Sequence, residues 1–148
     1  MEKPILVEIN DTNISSLQIL ANEADIEGYP FVQKTITEWK NGTNAFSKPG
    51  EKLWGLFVDD TCVGIGGLNQ DPYVRDALVG RVRHVYISRK YRGRGLSKVL
   101  LGLIVAEARK SYTKLRLSTS NPIAASLYES AGFAKAEGQK VTHIMDFQ

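Results

Sequence analysis

With one cysteine, Cys62, in 148 residues, the chain cannot close an internal disulfide. Cys62 lies in the apolar run Thr61 to Leu68, which assigns it to a core rather than to reactive chemistry. Long apolar runs are missing too. No segment approaches the length of a membrane span, and Met1-Glu2-Lys3-Pro4 does not lead into an apolar stretch, so the expected location is the cytoplasm, with no membrane partner. Excess charge is equally scarce. A net +3 suits an anionic ligand but falls far short of a dedicated nucleic-acid binder. With 43% apolar and 24% charged residues, neither disorder nor a fibrous repeat is suggested. The length fits one domain, residues 1–148, with a single core.

The pattern alternates strands and helices. Pro4 to Ile9 is a β-branched and apolar run that fits a first strand. Leu17, Leu20, Ala21 and Ala24 follow at helical spacing after capping residues at Asp11 to Asn13, and Gly28-Tyr29-Pro30 closes that segment. A second helix is predicted over Phe31 to Lys40, with Phe31, Thr35, Ile36 and Trp39 inward, before a polar loop from Asn41 to Gly50. Leu53 to Val58 and Cys62 to Leu68 flank Asp59-Asp60-Thr61 as a hairpin. Leu78 to Ser88 predicts a fourth strand, with Val82, His84 and Tyr86 on one face and Arg83, Val85 and Ile87 on the other.

A glycine loop then opens a helix. Lys90-Tyr91-Arg92-Gly93-Arg94-Gly95-Leu96 leads into Val99, Leu100, Leu103, Ile104 and Ala108 at threes and fours. Glycines at a helix start let backbone N–H groups approach a ligand, and the helix dipole favours phosphate oxygens there. Arg92, Arg94 and Lys98 add positive charge, although a solvated basic turn has the same composition. Two better-known phosphate signatures are absent. Gly95-Leu96-Ser97-Lys98 lacks the Walker spacing, and the dinucleotide fingerprint lacks its third glycine and its later acid.

Downstream, Lys114 to Thr119 fits a fifth strand, and Asn121-Pro122 fits an N-cap followed by a first-turn proline. Gly132 ends that helix, Phe133 starts a sixth strand, and Val141 to Phe147 reads as a last strand carrying His143. Tyr128 lies seven residues after Asn121, nearly two turns, so both can face one side.

Tyr86-Ile87, Tyr91-Arg92-Gly93-Arg94-Gly95 and Asn121 through Leu127-Tyr128-Glu129-Ser130-Ala131-Gly132-Phe133 together resemble the GNAT family of N-acetyltransferases. The specific likeness covers Val85 to Phe133, and the flanking elements agree in order only. The resemblance implies an α/β fold with a mixed sheet of six to seven strands and about four helices, splayed between strands four and five. It implies acetyl-CoA as co-substrate and a primary amine as acceptor, with direct transfer in a ternary complex. A homodimer is compatible with it. It gives no nucleic-acid partner and no metal.

Carried over by position, the resemblance has Val85, Tyr86 and Ile87 bind the pantetheine arm and thioester through their main chain. Arg92, Gly93, Arg94, Gly95, Leu96, Ser97 and Lys98 hold the pyrophosphate, and Asn121 helps hold the cofactor. Tyr128 stands near the sulfur as the general acid for the leaving thiol and is also counted among the cofactor-binding residues. Three positions depart from the family pattern: Lys90 for Gln or Arg, Arg89 for a preceding proline, and Ser97 for a third glycine.

The base is less plain, because Arg81 and Arg116 stand near places where relatives often carry a glutamate. His84, with an ordinary pKa of about 6.5, is the candidate base, and a water-relayed proton is the alternative. Glu23, Asp25 and Glu27 either attract a cationic amine or form a solvated face. Trp39 and Trp54 read as core, and the loop Asn69 to Ala77 is a candidate lining for the acceptor side. Two other classes stay open: a non-catalytic acyl-CoA sensor, and a nucleic-acid binder acting through Arg89 to Arg94.

Overall fold

The computed structural model describes residues 3–148; Met1 and Glu2, part of the N-terminal reading above, lie outside them. The first strand, β1 (Ile5–Glu8), leads through a 3-10 turn at Ile14–Leu17 into α1 (Gln18–Ile26), followed by α2 (Phe31–Asn41). Then come β2 (Lys52–Val58), β3 (Thr61–Gln70) and β4 (Val79–Ile87), with α3 (Leu96–Ala108) after the glycine loop. The chain continues as β5 (Lys114–Leu117), α4 (Pro122–Ser130), β6 (Ala134–Lys135) and β7 (His143–Asp146). One seven-stranded sheet runs in the order β1-β2-β3-β4-β5-β7-β6, and β4 with β5 is its parallel pair.

The sheet separates two apolar layers. On one side the 3-10 turn, α1 and α2 bury Leu17, Leu20, Ala21, Val32 and Ile36 against Leu53, Ile65 and Tyr86. On the other, α3 and α4 bury Leu100, Leu101, Ile104 and Tyr128 against Leu56, Ile87, Leu115 and Leu117. α3 sits close because β3 carries Gly66 beneath it: a Cβ there would lie 2.9 Å from Leu100 Cγ. Cys62 is buried, donates to Gly64 O at 3.2 Å, and has its thiol pKa pushed up to about 11 by burial.

Element order follows the sequence pattern, and the ends differ. β5 stops at Leu117, and the sixth strand is only Ala134–Lys135, because β6 pairs just two residues with β7. No helix among the described residues is long and apolar enough to cross a membrane.

Candidate active site

β4 pairs with β5 only through Val79, Gly80 and Arg81, opposite Lys114, Leu115 and Arg116. From Val82 to Ile87 that edge of β4 has no strand partner among the described residues, so the two strands part toward their C-terminal ends. Main-chain groups along such an edge are free to receive an extended ligand as an added strand. Val85, Tyr86 and Ile87, the residues expected to take a pantetheine arm, occupy this stretch.

β4 is also bulged. Gly67 pairs with Arg83 and Ile65 with Tyr86, so the single residue Gly66 opposes both His84 and Val85. His84 takes φ 60°, a left-handed backbone that costs free energy in any residue but glycine. The bulge corrects the expected alternation. Arg83 and His84 both face the α2 layer, while Val82, Val85 and Ile87 pack on the α3 side.

The same burial corrects His84 as a base. Its ring stacks on Phe31 at 5.8 Å and 17°, and its Nε2 is sealed from solvent with no hydrogen-bond partner among the described residues. Burial, and then the charges of Arg83 and Lys34, pull its pKa down to about 3. An imidazole of that acidity cannot hold a proton taken from an ammonium with an ordinary pKa of about 10.

The glycine loop presents a row of donors. Gly93 and Gly95 take φ 77° and 75°, which suits residues without a Cβ. The main-chain N–H groups of Gly93, Arg94, Gly95, Leu96, Ser97 and Lys98 find no acceptor among the described residues; Val99, bonded to Gly95 O at 3.2 Å, is the first that does. α3 has neither a capping side chain nor an acidic residue in its first turn. Successive free amides at a helix N-terminus form a concave nest for an anion, and the helix dipole adds to it.

Arg92 departs from its expected role. Its Nη1 and Nη2 donate to Glu27 at 3.1 and 2.6 Å, its Nε donates to Ile87 O at 2.9 Å, and its guanidinium lies 5.3 Å from the Tyr86 ring centre. It ties the loop to α1 rather than offering a free cation to phosphate. Glu27 is held well below its ordinary range, at about 2, first by Arg92 and then by the Tyr86 hydroxyl. Glu23 accepts from Ser88 Oγ and Arg89 N, both at 2.8 Å. These carboxylates therefore clamp α1 to the end of β4 and are neither a solvated face nor a free lure for a cationic amine. Asp25 remains exposed.

α4 closes the other side of the gap. Asn121 Oδ1 accepts from Ile123 N at 2.9 Å and Ala124 N at 3.4 Å, and Pro122 fills the first helical position. That oxygen is committed to the helix, which leaves the Nδ2 amide as what Asn121 can offer a ligand. Tyr128 is 8% exposed, meets Phe133 edge-on at 5.7 Å, and shares an apolar cluster with Ile87 and Leu100. Burial pushes its phenol pKa up to about 12. His143 gains a partner that sequence spacing did not reveal: its Nε2 lies 2.8 Å from Glu129 Oε2.

The two arginines standing near the expected glutamates are balanced by an acid from the β3–β4 loop. Buried Asp71 accepts from Arg81 at 3.2 Å and Arg116 at 2.9 Å. Their remaining donors reach the carbonyls of Lys140 and Gln139, which pins the β6–β7 hairpin over the parallel pair.

Residues 15–133 match the model of the Acetyltransferase (GNAT) family. The chain is similar to human N-acetyltransferase 8B, 32% identical over 103 residues, covering 66% of this chain and 44% of that protein. It thus spans less than half the length of that relative. A structure from Exiguobacterium sp. 255-15, presented as an acetyltransferase, superposes with a TM-score of 0.86 at 26% identity over 97% of this chain and 93% of that one. A Salmonella typhimurium protein solved with its cofactor acetyl-CoA shares the fold, with a TM-score of 0.73 at 12% identity over 98% and 94% of the two chains.

Proposed function

Because the chain belongs to the GNAT family of acetyltransferases, we propose that it moves the acetyl group of acetyl-CoA directly to a primary amine in a ternary complex. One observation carries the cofactor half of this reading: six consecutive amides, Gly93 to Lys98, unpaired among the described residues, beside the open edge of β4. The residues fit the group. A pyrophosphate needs clustered donors and no nearby acid, and a pantetheine arm, with its own amides, needs an open strand edge.

Bound there, acetyl-CoA supplies an activated thioester. The amides of Gly93 to Lys98 bind its phosphates, with Arg94 and Lys98 adding charge. The main chain of Val85 to Ile87 aligns the arm, and Asn121 contributes its Nδ2 amide. The new amide C–N bond forms as the thioester C–S bond breaks. An ammonium acceptor loses two protons overall; one goes to water and one ends on the thiol.

Tyr128 is the group we assign to the leaving sulfur. Full transfer from a phenol near 12 to a thiolate of pKa about 8.5 is uphill by roughly 5 kcal/mol. Tyr128 therefore donates a hydrogen bond to the developing thiolate, with its proton passing only as the C–S bond breaks. On the amine side a water chain carries the first proton out, while the sealed ring of His84 stays outside that relay. We place the enzyme in the cytoplasm, as a monomer or a homodimer.

The test is thermal stabilisation by acetyl-CoA, followed by thiol release over a panel of polyamines, aminoglycosides, amino acids and peptide N-termini. Saturating cofactor should raise the melting temperature, and at least one amine should release coenzyme A. No stabilisation would sink the cofactor assignment. Stabilisation without turnover on any amine would favour a non-catalytic acyl-CoA sensor.

A further inference from the structure

A cavity of about 560 Å³ opens on the α2 side of the sheet, between the α2–β2 loop and the β3–β4 loop. Arg83 forms part of its wall, on the face that its regular pairing with Gly67 gives it, just before the bulge at His84 and Val85. Of the arginines at this end of the parallel pair, Arg81 and Arg116 are used up by Asp71 and by hairpin carbonyls. Arg83 is half-buried yet makes no ion pair or hydrogen bond with any described residue. Glu38, from α2, lines the same cavity beyond ion-pairing distance. A guanidinium withdrawn from water without a partner costs free energy unless a ligand supplies the anion.

Resting on the acyl-transfer reading above, we propose that the acceptor is an amine that also carries a carboxylate, and that Arg83 binds this carboxylate in the cavity. The placement suits an acceptor subsite, because Arg83 lies two residues before Val85, where the main-chain cradle for the thioester begins. The planar fork of Arg83 matches a carboxylate in two-point contact. The other walls favour a single negative charge. Beside Arg83, Glu38, Glu51 and Asp76 face Lys48 and Arg75 while Asp71 is neutralised by its two arginines, so the cavity has no cationic excess to match a phosphate dianion.

The experiment compares L-amino acids and short peptides with their carboxamides as acceptors for the full chain at saturating acetyl-CoA, and repeats the panel with Arg83→Gln and Arg83→Lys. Phosphoethanolamine is included beside β-alanine to separate phosphate from carboxylate. The acid form of a productive acceptor should show a KM about 10- to 100-fold below its amide, the worth of a lost charge-assisted contact. Arg83→Gln should erase that difference with the kcat and the KM for acetyl-CoA within twofold, and Arg83→Lys should restore part of it. Equal use of acids and amides overturns the proposal, as does an Arg83→Gln variant that keeps the acid preference, or stronger use of the phosphate. Turnover on uncharged amines alone overturns this assignment but leaves acetyl transfer standing. Failure of acetyl-CoA to stabilise the protein removes the parent reading instead.

Discussion

The N-terminal ends of α3 and α4 flank the same gap in the sheet and solve the same problem in opposite ways. α4 satisfies its first amides internally, with Asn121 Oδ1 on two of them and a proline that has no donor to satisfy. α3, with Gly95 at its N-cap, has no side-chain cap and no first-turn acid, and leaves its leading amides open among the described residues. An uncapped helix start gives up stability that a Ser, Thr, Asp or Asn would supply, so a chain that caps one end and not its neighbour has a use for the open one. The closed end holds Tyr128 in place; the open end is the anion site.

The largest effect is expected when the open start of α3 is given an acidic side chain of its own. In Gly95→Asp, a negative charge is set beside the open amides where the phosphates bind, although the left-handed backbone of residue 95 does not repeat the extended cap geometry of Asn121. Acetyl-CoA affinity should fall roughly 100-fold, about the worth of two charge-assisted hydrogen bonds, when measured by titration calorimetry. Folding stability should change by less than about 1 kcal/mol, because Asp tolerates the left-handed backbone and favours the helix dipole. Undiminished affinity would show that these amides do not bind the cofactor.

A second break separates the two ends by kinetics. If α3 binds and α4 supplies the proton, Tyr128→Phe should lower kcat about 10- to 100-fold and leave the acetyl-CoA dissociation constant unchanged. The effect is smaller than for a well-matched acid, since a phenol near 12 is a reluctant donor. A variant with full kcat would make Tyr128 a packing residue of the α4 layer.

Asn121→Ala probes the closed end directly. Loss of the cap should cost about 1 kcal/mol in denaturant unfolding. A weakening of acetyl-CoA by more than about threefold would assign the free Nδ2 amide a place on the cofactor as well; no change in affinity would leave Asn121 with its cap alone.

These two ends also divide what was legible in the sequence. The cap on α4 could be read from Asn121-Pro122, and the glycine loop from Gly93 and Gly95, because both depend on residues within one turn. Sequence reading placed Arg92 among the phosphate ligands, because its partner Glu27 lies 65 residues away and only packing brings them together. Glu23 and Glu27 looked like a solvated face for the same reason. The bulge at His84 was invisible to a period-two count: Gly66 must be seen opposite two residues before Arg83 and His84 fall on one side. Burial then removes the basicity that made His84 attractive. The splay between β4 and β5 could be expected from the family likeness, but the short β6 and the pinning of its hairpin by Arg81 and Arg116 depend on contacts no local pattern encodes.

The smallest expected effect follows from what holds each end in place. α4 is held by a neutral amide, whereas the approach to α3 is held by the Arg92–Glu27 ion pair and the Tyr86 hydroxyl. Glu27 is 15% exposed in its side chain and titrates near 2 in the folded protein, against an ordinary 4.5. A depressed carboxylate pKa stabilises the fold above the unfolded value, and that contribution is lost as pH falls through the folded one. Between about pH 4.5 and 2, then, the clamp on the glycine loop weakens while the Asn121 cap does not. Denaturant midpoints measured across this range should fall less steeply for Glu27→Gln than for the parent chain, and Asn121→Ala should follow the parent slope from a lower start. Parallel curves for Glu27→Gln and the parent would mean that Arg92 holds the loop through Ile87 O and the Tyr86 face, with the carboxylate adding nothing.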